Sequence, residues 1–129
     1  MKVLLLLIAM IASATTAAAA PAEHDWRGTV EDALPLLGHR NWIIIADSAF
    51  PHQISPGVQT VYTGEDQIVV LETVMKMLGK TSHVSPVVYL DAELKHVPET
   101  RAPGIEAYRV ALKRSLGNRV ATDILHEDV

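Results

Sequence analysis

Runs of apolar residues along the chain predict the strands of the fold. Residues 42–47 read Trp-Ile-Ile-Ile-Ala-Asp, and residues 86–91 read Pro-Val-Val-Tyr-Leu-Asp. Continuous apolar runs rich in β-branched residues are typical of strands that are covered on both faces of a sheet. Residues 58–62 alternate between apolar and polar, which predicts a shorter strand. Residues 120–124 are a further strand candidate.

Apolar residues at helical spacing predict the helices that lie between these strands. The segment 66–78 has the apolar stripe of an amphipathic helix and is followed by Gly79 at the C′ position. Pro103 and Gly117 bracket another helix, since proline favours a helix start and glycine a helix end. The apolar stripe of the first of these helices consists of Ile68, Leu71, Val74, Met75 and Leu78.

A shorter helix is predicted at residues 30–37. Thr29 is expected to be its N-cap, and Gly38 lies where a left-handed C-cap belongs. Pro35 makes this helix irregular, because a proline inside a helix costs about 3 kcal/mol. We therefore expect the helix to be kinked or to begin late.

The order of these elements predicts an α/β fold. Strands that alternate with helices of about 12 to 15 residues are typical of a sheet with helices on its faces. We expect a three-layer α/β/α sandwich with a mixed, mostly parallel central sheet. Asp47 and Asp91 end the two apolar runs, and ligands of open α/β sheets gather at the carboxyl ends of strands.

Residues 1–19 have the order of a cleavable secretory signal peptide. Lys2 precedes the apolar run 3–11, and small residues follow up to Ala19 and Ala20. We expect cleavage after Ala19, which leaves residues 20–129 as one exported domain, periplasmic or secreted. An uncleaved membrane anchor is the alternative, although a transmembrane helix needs about 20 apolar residues.

Charge and cysteine content limit the partners. The chain contains 11 Lys and Arg, 15 Asp and Glu, and no cysteine. A mildly acidic protein without a basic stripe is a poor partner for nucleic acid or for an anionic membrane surface. Because no disulfide can form, so small a domain depends on its packed core or on association with copies of itself. We therefore expect a homo-oligomer.

Polar residues that could carry chemistry lie on both sides of the run 42–47. A histidine has an unperturbed pKa of about 6.5 and exchanges protons near neutral pH, so His39 is a candidate acid/base, with Asp47 as a hydrogen-bond acceptor. The alternative is that Gly38 and His39 cap a helix and that Asp47 satisfies backbone amides in a turn. The six histidines lack the close spacing of metal ligands, so no metal site is expected.

Residues 37–51 contain an ordered motif: Leu-Gly-His-Arg-Asn-Trp-Ile-Ile-Ile-Ala-Asp-Ser-Ala-Phe-Pro. This motif resembles the ribose pyranase and fucose mutarotase family, in which Gly-His precedes an apolar strand that ends in Asp, with a Pro beyond it. The helix from Asp66 and the apolar strand before Asp91 follow in the order of that family. The resemblance covers about residues 34–129.

The resemblance implies roles for three residues. His39 would be the proton donor and Asp47 would bind the sugar. His126, followed by Glu127, is similar to a histidine that contacts substrate in some members, although an ordinary polar helix start is the alternative. Members interconvert anomers or ring forms of monosaccharides without a metal or organic cofactor, at sites where subunits meet in ring-like oligomers.

The chain also departs from the family pattern. Asn41 stands where the sugar enzymes have Asp, and the family continues into further strands that contribute a Tyr and an Asn to the sugar site. The resemblance therefore implies a domain that is incomplete at its C-terminus.

These observations predict an exported, monosaccharide-binding isomerase that works by acid/base catalysis in carbohydrate metabolism. Two alternatives stay open. One is a non-catalytic family member that binds a carbohydrate or another small ligand, and the other is a truncated, inactive fragment.

Overall fold

The computed structural model describes residues 25–125 and gives them a mixed α/β fold. The predicted signal peptide and His126 lie outside the described residues. Three α-helices, two 3-10 turns and two strands follow in the order α1 (Trp26–Ala33), a 3-10 turn (Leu34–Leu36), α2 (Gln67–Leu78), β1 (Val88–Asp91), a 3-10 turn (Leu94–His96), α3 (Ile105–Leu116) and β2 (Ala121–Ile124). Within this part of the chain, no helix has the length and apolar character needed to cross a membrane.

Helix α2 confirms the predicted helix at 66–78. It begins after Asp66, whose carboxylate accepts a hydrogen bond from the backbone N–H of Ile68 at 2.8 Å. An aspartate that accepts such a bond satisfies one of the unpaired amides at a helix start. Gly79 is the C-cap, with a φ of −65°, one position earlier than the expected C′. The Gly79 amide donates to the Met75 carbonyl at 3.0 Å, and the Lys80 amide donates to the Met77 carbonyl at 3.0 Å.

Strands β1 and β2 pair in parallel, with α3 between them along the chain. Val88 pairs with Ala121, and Asp91 with Ile124. Antiparallel strands can be joined by a tight turn, whereas parallel strands need a crossover, which α3 supplies. The predicted strands at 86–91 and 120–124 and the helix before Gly117 are therefore confirmed in slightly shorter form.

The strands predicted at residues 42–47 and 58–62 are absent from the described sheet, which has two strands. Trp42 and Ile44 are 59% and 50% exposed, so this apolar run is not covered on both faces. A strand needs a neighbour with which to exchange backbone hydrogen bonds, and these residues make none with β1 or β2.

The first helix lies four residues earlier than predicted. Asp25, not Thr29, is its N-cap and accepts a hydrogen bond from the Gly28 amide at 3.1 Å. Pro35 falls in the first turn of the following 3-10 segment, where a missing N–H costs nothing. Gly38 is not among the glycines of positive φ in residues 25–125, so the expected left-handed cap there is also wrong.

A small apolar core joins α1 to α2. Trp26, Val70 and Val74 are its buried members, and Val74 is 3% exposed. Ile45 and Val61 pack against this cluster, together with Val30 and Leu78. The segments between α1 and α2 are therefore held by side-chain burial rather than by sheet pairing.

Glu65 adds a polar tie between the start of α1 and the start of α2. Its carboxylate accepts hydrogen bonds from both terminal nitrogens of Arg27, at 2.5 and 2.6 Å, and from Nε1 of Trp26 at 3.1 Å. The Arg27 guanidinium lies 4.5 Å from the centre of the Trp26 ring. These donors, Arg27 first, hold the pKa of Glu65 below its ordinary value.

Truncating the core at Val74 should destabilise the fold markedly. Val74→Ala removes two methyl groups from a buried position and should lower the free energy of unfolding by about 2 kcal/mol. The control is Val69→Ala on the same helix, where the side chain is 43% exposed. It should cost less than about 0.5 kcal/mol. Urea unfolding measures both, and equal effects would contradict this placement of the core.

The Glu65 tie should weaken in acid. Because its pKa is lowered in the folded chain, Glu65 stabilises the fold above its unfolded pKa of about 4.3, and this stabilisation is lost as the pH falls through the folded pKa. Glu65→Gln should therefore reduce the fall in melting temperature between neutral and acidic pH. Glu93→Gln, at an exposed carboxylate without an ion pair in residues 25–125, is the control and should leave that fall unchanged.

Candidate functional site

Asp47 lies in an exposed turn of the segment that follows the apolar run. Its Oδ1 accepts a hydrogen bond from the Ala49 amide at 2.8 Å, and its carbonyl accepts one from the Phe50 amide at 3.2 Å. The turn interpretation of Asp47 is therefore confirmed. The turn also fixes the direction of the carboxylate, because one oxygen is committed to the backbone while the side chain remains open to solvent.

Gln67 and Tyr108 support the segment just before this turn. The side-chain Nε2 of Gln67 donates to the Ile45 carbonyl at 2.9 Å, and the Tyr108 hydroxyl donates to Oε1 of Gln67 at 3.0 Å. Gln67 is the first residue of α2, and Tyr108 lies in the first turn of α3. The two helix starts thus hold the backbone two residues before Asp47.

Negative charge and burial keep the Tyr108 phenol protonated. Burial is the largest cause of its raised pKa, followed by the charges of Asp66 and Asp47. The phenol therefore stays neutral over an extended pH range and donates its single hydrogen to Gln67 near two carboxylates. Asp47, Asp66, Gln67 and Tyr108 form the candidate site and are called the Asp47 cluster below.

The Asp47 cluster offers the groups that a hydroxyl-rich ligand requires. Carboxylates accept hydrogen bonds from hydroxyl groups, and the Tyr108 oxygen, whose hydrogen is donated to Gln67, can accept one as well. The exposed side of the Asp47 turn leaves this cluster accessible to a small polar molecule.

In the described part of the chain, His39 makes no hydrogen bond with the Asp47 cluster. It occupies an exposed turn in which the Asn41 amide donates to the Gly38 carbonyl at 3.0 Å and the Gly38 amide donates to Oδ1 of Asn41 at 2.8 Å. Within residues 25–125, the His39 ring makes no hydrogen bond or ion pair, with Asp47 or any other residue. The helix-cap interpretation of His39 is wrong, since Leu37 caps the preceding 3-10 turn.

Neither Gln67 nor Tyr108 was identified as a site residue from the sequence. A signal was present for Tyr108, because a tyrosine on a half-buried helix face usually finds a hydrogen-bond partner for its hydroxyl. Nothing local marks Gln67 as that partner, since the two residues are 41 positions apart.

Two shallow open clefts lie elsewhere on the surface. The larger, of about 320 Å³, contains Glu31, Lys80 and His83, and Nε2 of His83 lies 3.3 Å from the Leu34 carbonyl oxygen. The smaller, of about 250 Å³, contains Glu93, His96 and Arg101. Neither cleft includes a residue of the Asp47 cluster. In residues 25–125, no group of three or more His, Cys, Asp or Glu is arranged to hold a metal ion.

Comparison of the chain with protein-family models, curated protein sequences and solved structures finds no match.

Removing a carboxylate charge from the Asp47 cluster should change the pKa of Tyr108. Asp47→Asn keeps an oxygen that can accept the Ala49 hydrogen bond but removes the charge, so it should lower the pKa of Tyr108. Asp66→Asn, which can still cap α2, should lower it further, because Asp66 is the larger of the two charge effects. NMR of 13Cζ-labelled tyrosine measures these pKa values, with Tyr108→Phe assigning the signal. An unchanged pKa in both variants would contradict the cluster.

Proposed function

We propose that the chain is an exported, monosaccharide-binding isomerase of the mutarotase or pyranase type. The observation that carries this proposal is the exposed Asp47 carboxylate, which a turn orients and which lies near the neutral phenol of Tyr108. Together with the resemblance of residues 37–51 to the sugar-isomerising family, this arrangement favours a ligand with several hydroxyl groups. In this proposal residues 1–19 are removed and residues 20–129 act in the periplasm or outside the cell.

The proposed reaction is the opening and reclosure of a cyclic hemiacetal. His39 donates a proton to the ring oxygen, the bond between that oxygen and the anomeric carbon breaks, and the anomeric hydroxyl gives up its proton to water as the carbonyl forms. Reclosure on the other face of the carbonyl, or through another hydroxyl, reverses both proton transfers. The reaction therefore consumes no co-reactant. General acid–base catalysis typically contributes about 10²- to 10⁴-fold.

Asp47 and His126 have binding roles in this proposal. The Asp47 carboxylate accepts a hydrogen bond from a sugar hydroxyl and orients the ring toward the proton donor. His126 contacts the substrate, in line with the resemblance of His126 and Glu127 to a family feature.

We propose that association of copies completes the site, because within residues 25–125 no hydrogen bond or ion pair joins His39 to Asp47. Trp42, Ile43 and Ile44 lie between them in sequence and are exposed, which supports burial of this stretch against a second copy. The Trp42 ring also lies 5.2 Å from the ring of Tyr89 in β1. This contact supports addition of residues 42–47 to the β1–β2 sheet on association, which would build the three-layer α/β/α sandwich with a mixed, mostly parallel sheet.

A non-catalytic carbohydrate-binding protein is the second candidate function. The isolation of the His39 ring favours it, because a binding protein needs the acceptor at Asp47 but no proton donor. A third outcome is an inactive fragment, in which the exposed apolar residues lead to aggregation rather than to ordered assembly.

Exchange NMR on the chain from Ala20 onward tests the isomerase with ribose, fucose and galactose. We expect faster anomer exchange with at least one sugar, and a loss of that acceleration of about 100-fold or more in His39→Ala. His52→Ala, at an exposed histidine beyond the Asp47 turn, is the matched control and should retain the full rate.

The same samples separate the alternatives. Saturable sugar binding with no acceleration in a folded sample would contradict catalysis and identify a binding protein. Aggregation without a cooperative melt would identify an inactive fragment.

A further inference from the structure

Gln67 connects three segments of the chain that are far apart in sequence. Its own backbone begins α2, its side-chain amide donates to the Ile45 carbonyl, and its side-chain oxygen accepts from Tyr108 in α3. The Ile45 carbonyl lies two residues before Asp47, while Ile45 packs its side chain against the apolar core. Gln67 therefore fixes the backbone from which the Asp47 turn starts.

The directions of these hydrogen bonds allow only one orientation of the Gln67 side-chain amide. A backbone carbonyl can only accept, so the amide nitrogen of Gln67 must face Ile45. The amide oxygen then faces Tyr108, whose hydroxyl must donate. The Ile45 carbonyl thus fixes the amide orientation, since the reversed amide would set an oxygen against it, and the Tyr108 hydroxyl stabilises that orientation by donating to the amide oxygen.

We infer that Gln67 is a positioning residue for the sugar-binding Asp47 and that the Tyr108 hydroxyl stabilises its amide in the orientation that the Ile45 carbonyl requires. The inference rests on the proposed function for its link to sugar binding. Gln67 holds the Asp47 turn in place through the backbone and does not itself need to touch the sugar.

A second contact between α2 and α3 provides a control for this role. The Ser115 hydroxyl donates to Oε1 of Glu72 at 2.7 Å, which ties the same two helices together. Among the described residues, neither side chain hydrogen-bonds to the segment that contains Ile45 and Asp47. Ser115→Ala is therefore a matched control that removes an interhelical hydrogen bond without touching the Asp47 turn.

The test compares Gln67→Glu, Tyr108→Phe and Ser115→Ala in the chain from Ala20 onward. Gln67→Glu keeps an acceptor for Tyr108 but has no donor for the Ile45 carbonyl, and glutamate is as compatible with a helix as glutamine. The first readout needs no sugar: it is the 15N order parameter of the Ala49 and Phe50 amides. We expect a fall from about 0.85 to below about 0.6 in Gln67→Glu, a smaller fall in Tyr108→Phe and no change in Ser115→Ala.

The second readout is the dissociation constant of the sugar that the wild-type chain binds. Gln67→Glu should raise it about three- to tenfold, the effect of one hydrogen bond, while the rate at saturation changes less. Order parameters that stay at the wild-type value in both Gln67→Glu and Tyr108→Phe would overturn the positioning role. A loosened turn with unchanged sugar affinity would overturn its link to binding. If the wild-type chain binds no sugar, the proposed function fails, and the order parameters still decide whether Gln67 holds the turn.

Discussion

The burial of Val70 and Val74 against Trp26 is the contact on which the rest of the described structure depends. These side chains fix α2 on α1, and the long segment between the two helices is held to the same cluster through Ile45 and Val61. The buried set is small, and the described sheet adds a single pair of strands. Each buried methyl group therefore represents an unusually large share of the stability, since net folding free energies are only about 5 to 15 kcal/mol.

This dependence extends from the core to the candidate site. Because α2 is anchored by its buried valines, its first residue, Gln67, is held at a defined place and can support the backbone near Asp47. Helix α3 contributes Tyr108 to the same place and also carries the chain from β1 to β2. Arg109, the next residue, donates to the carbonyls of Leu94 and Val97 and so ties α3 to the turn that follows β1. The backbone before Asp47 is thus supported by both α2 and α3.

The elements that sequence reasoning predicted well are those whose signals are local. Helix α2 has its cap at Asp66 and its apolar stripe within one stretch, and α3 lies between Pro103 and Gly117, the two residues that predicted its ends. The turn at Asp47 was also open to prediction, because an aspartate side chain bonds an amide two residues ahead. The run 42–47 was predicted as a strand on composition alone, but strand formation depends on a neighbour that composition does not specify. Gln67 and Tyr108 were not foreseen as a pair, since their contact spans 41 positions and arises from helix packing.

Amide chemical-shift mapping with ribose, fucose and galactose tests the central claim, sugar binding at the Asp47 cluster, most directly. We expect saturable shifts for at least one sugar at Ala49, Phe50 and Gln67, and their loss in Asp47→Ala, which lacks both the carboxylate and the turn acceptor. Shifts confined to the cleft that contains Glu31 and His83, or no saturable shifts in a folded sample, would contradict it.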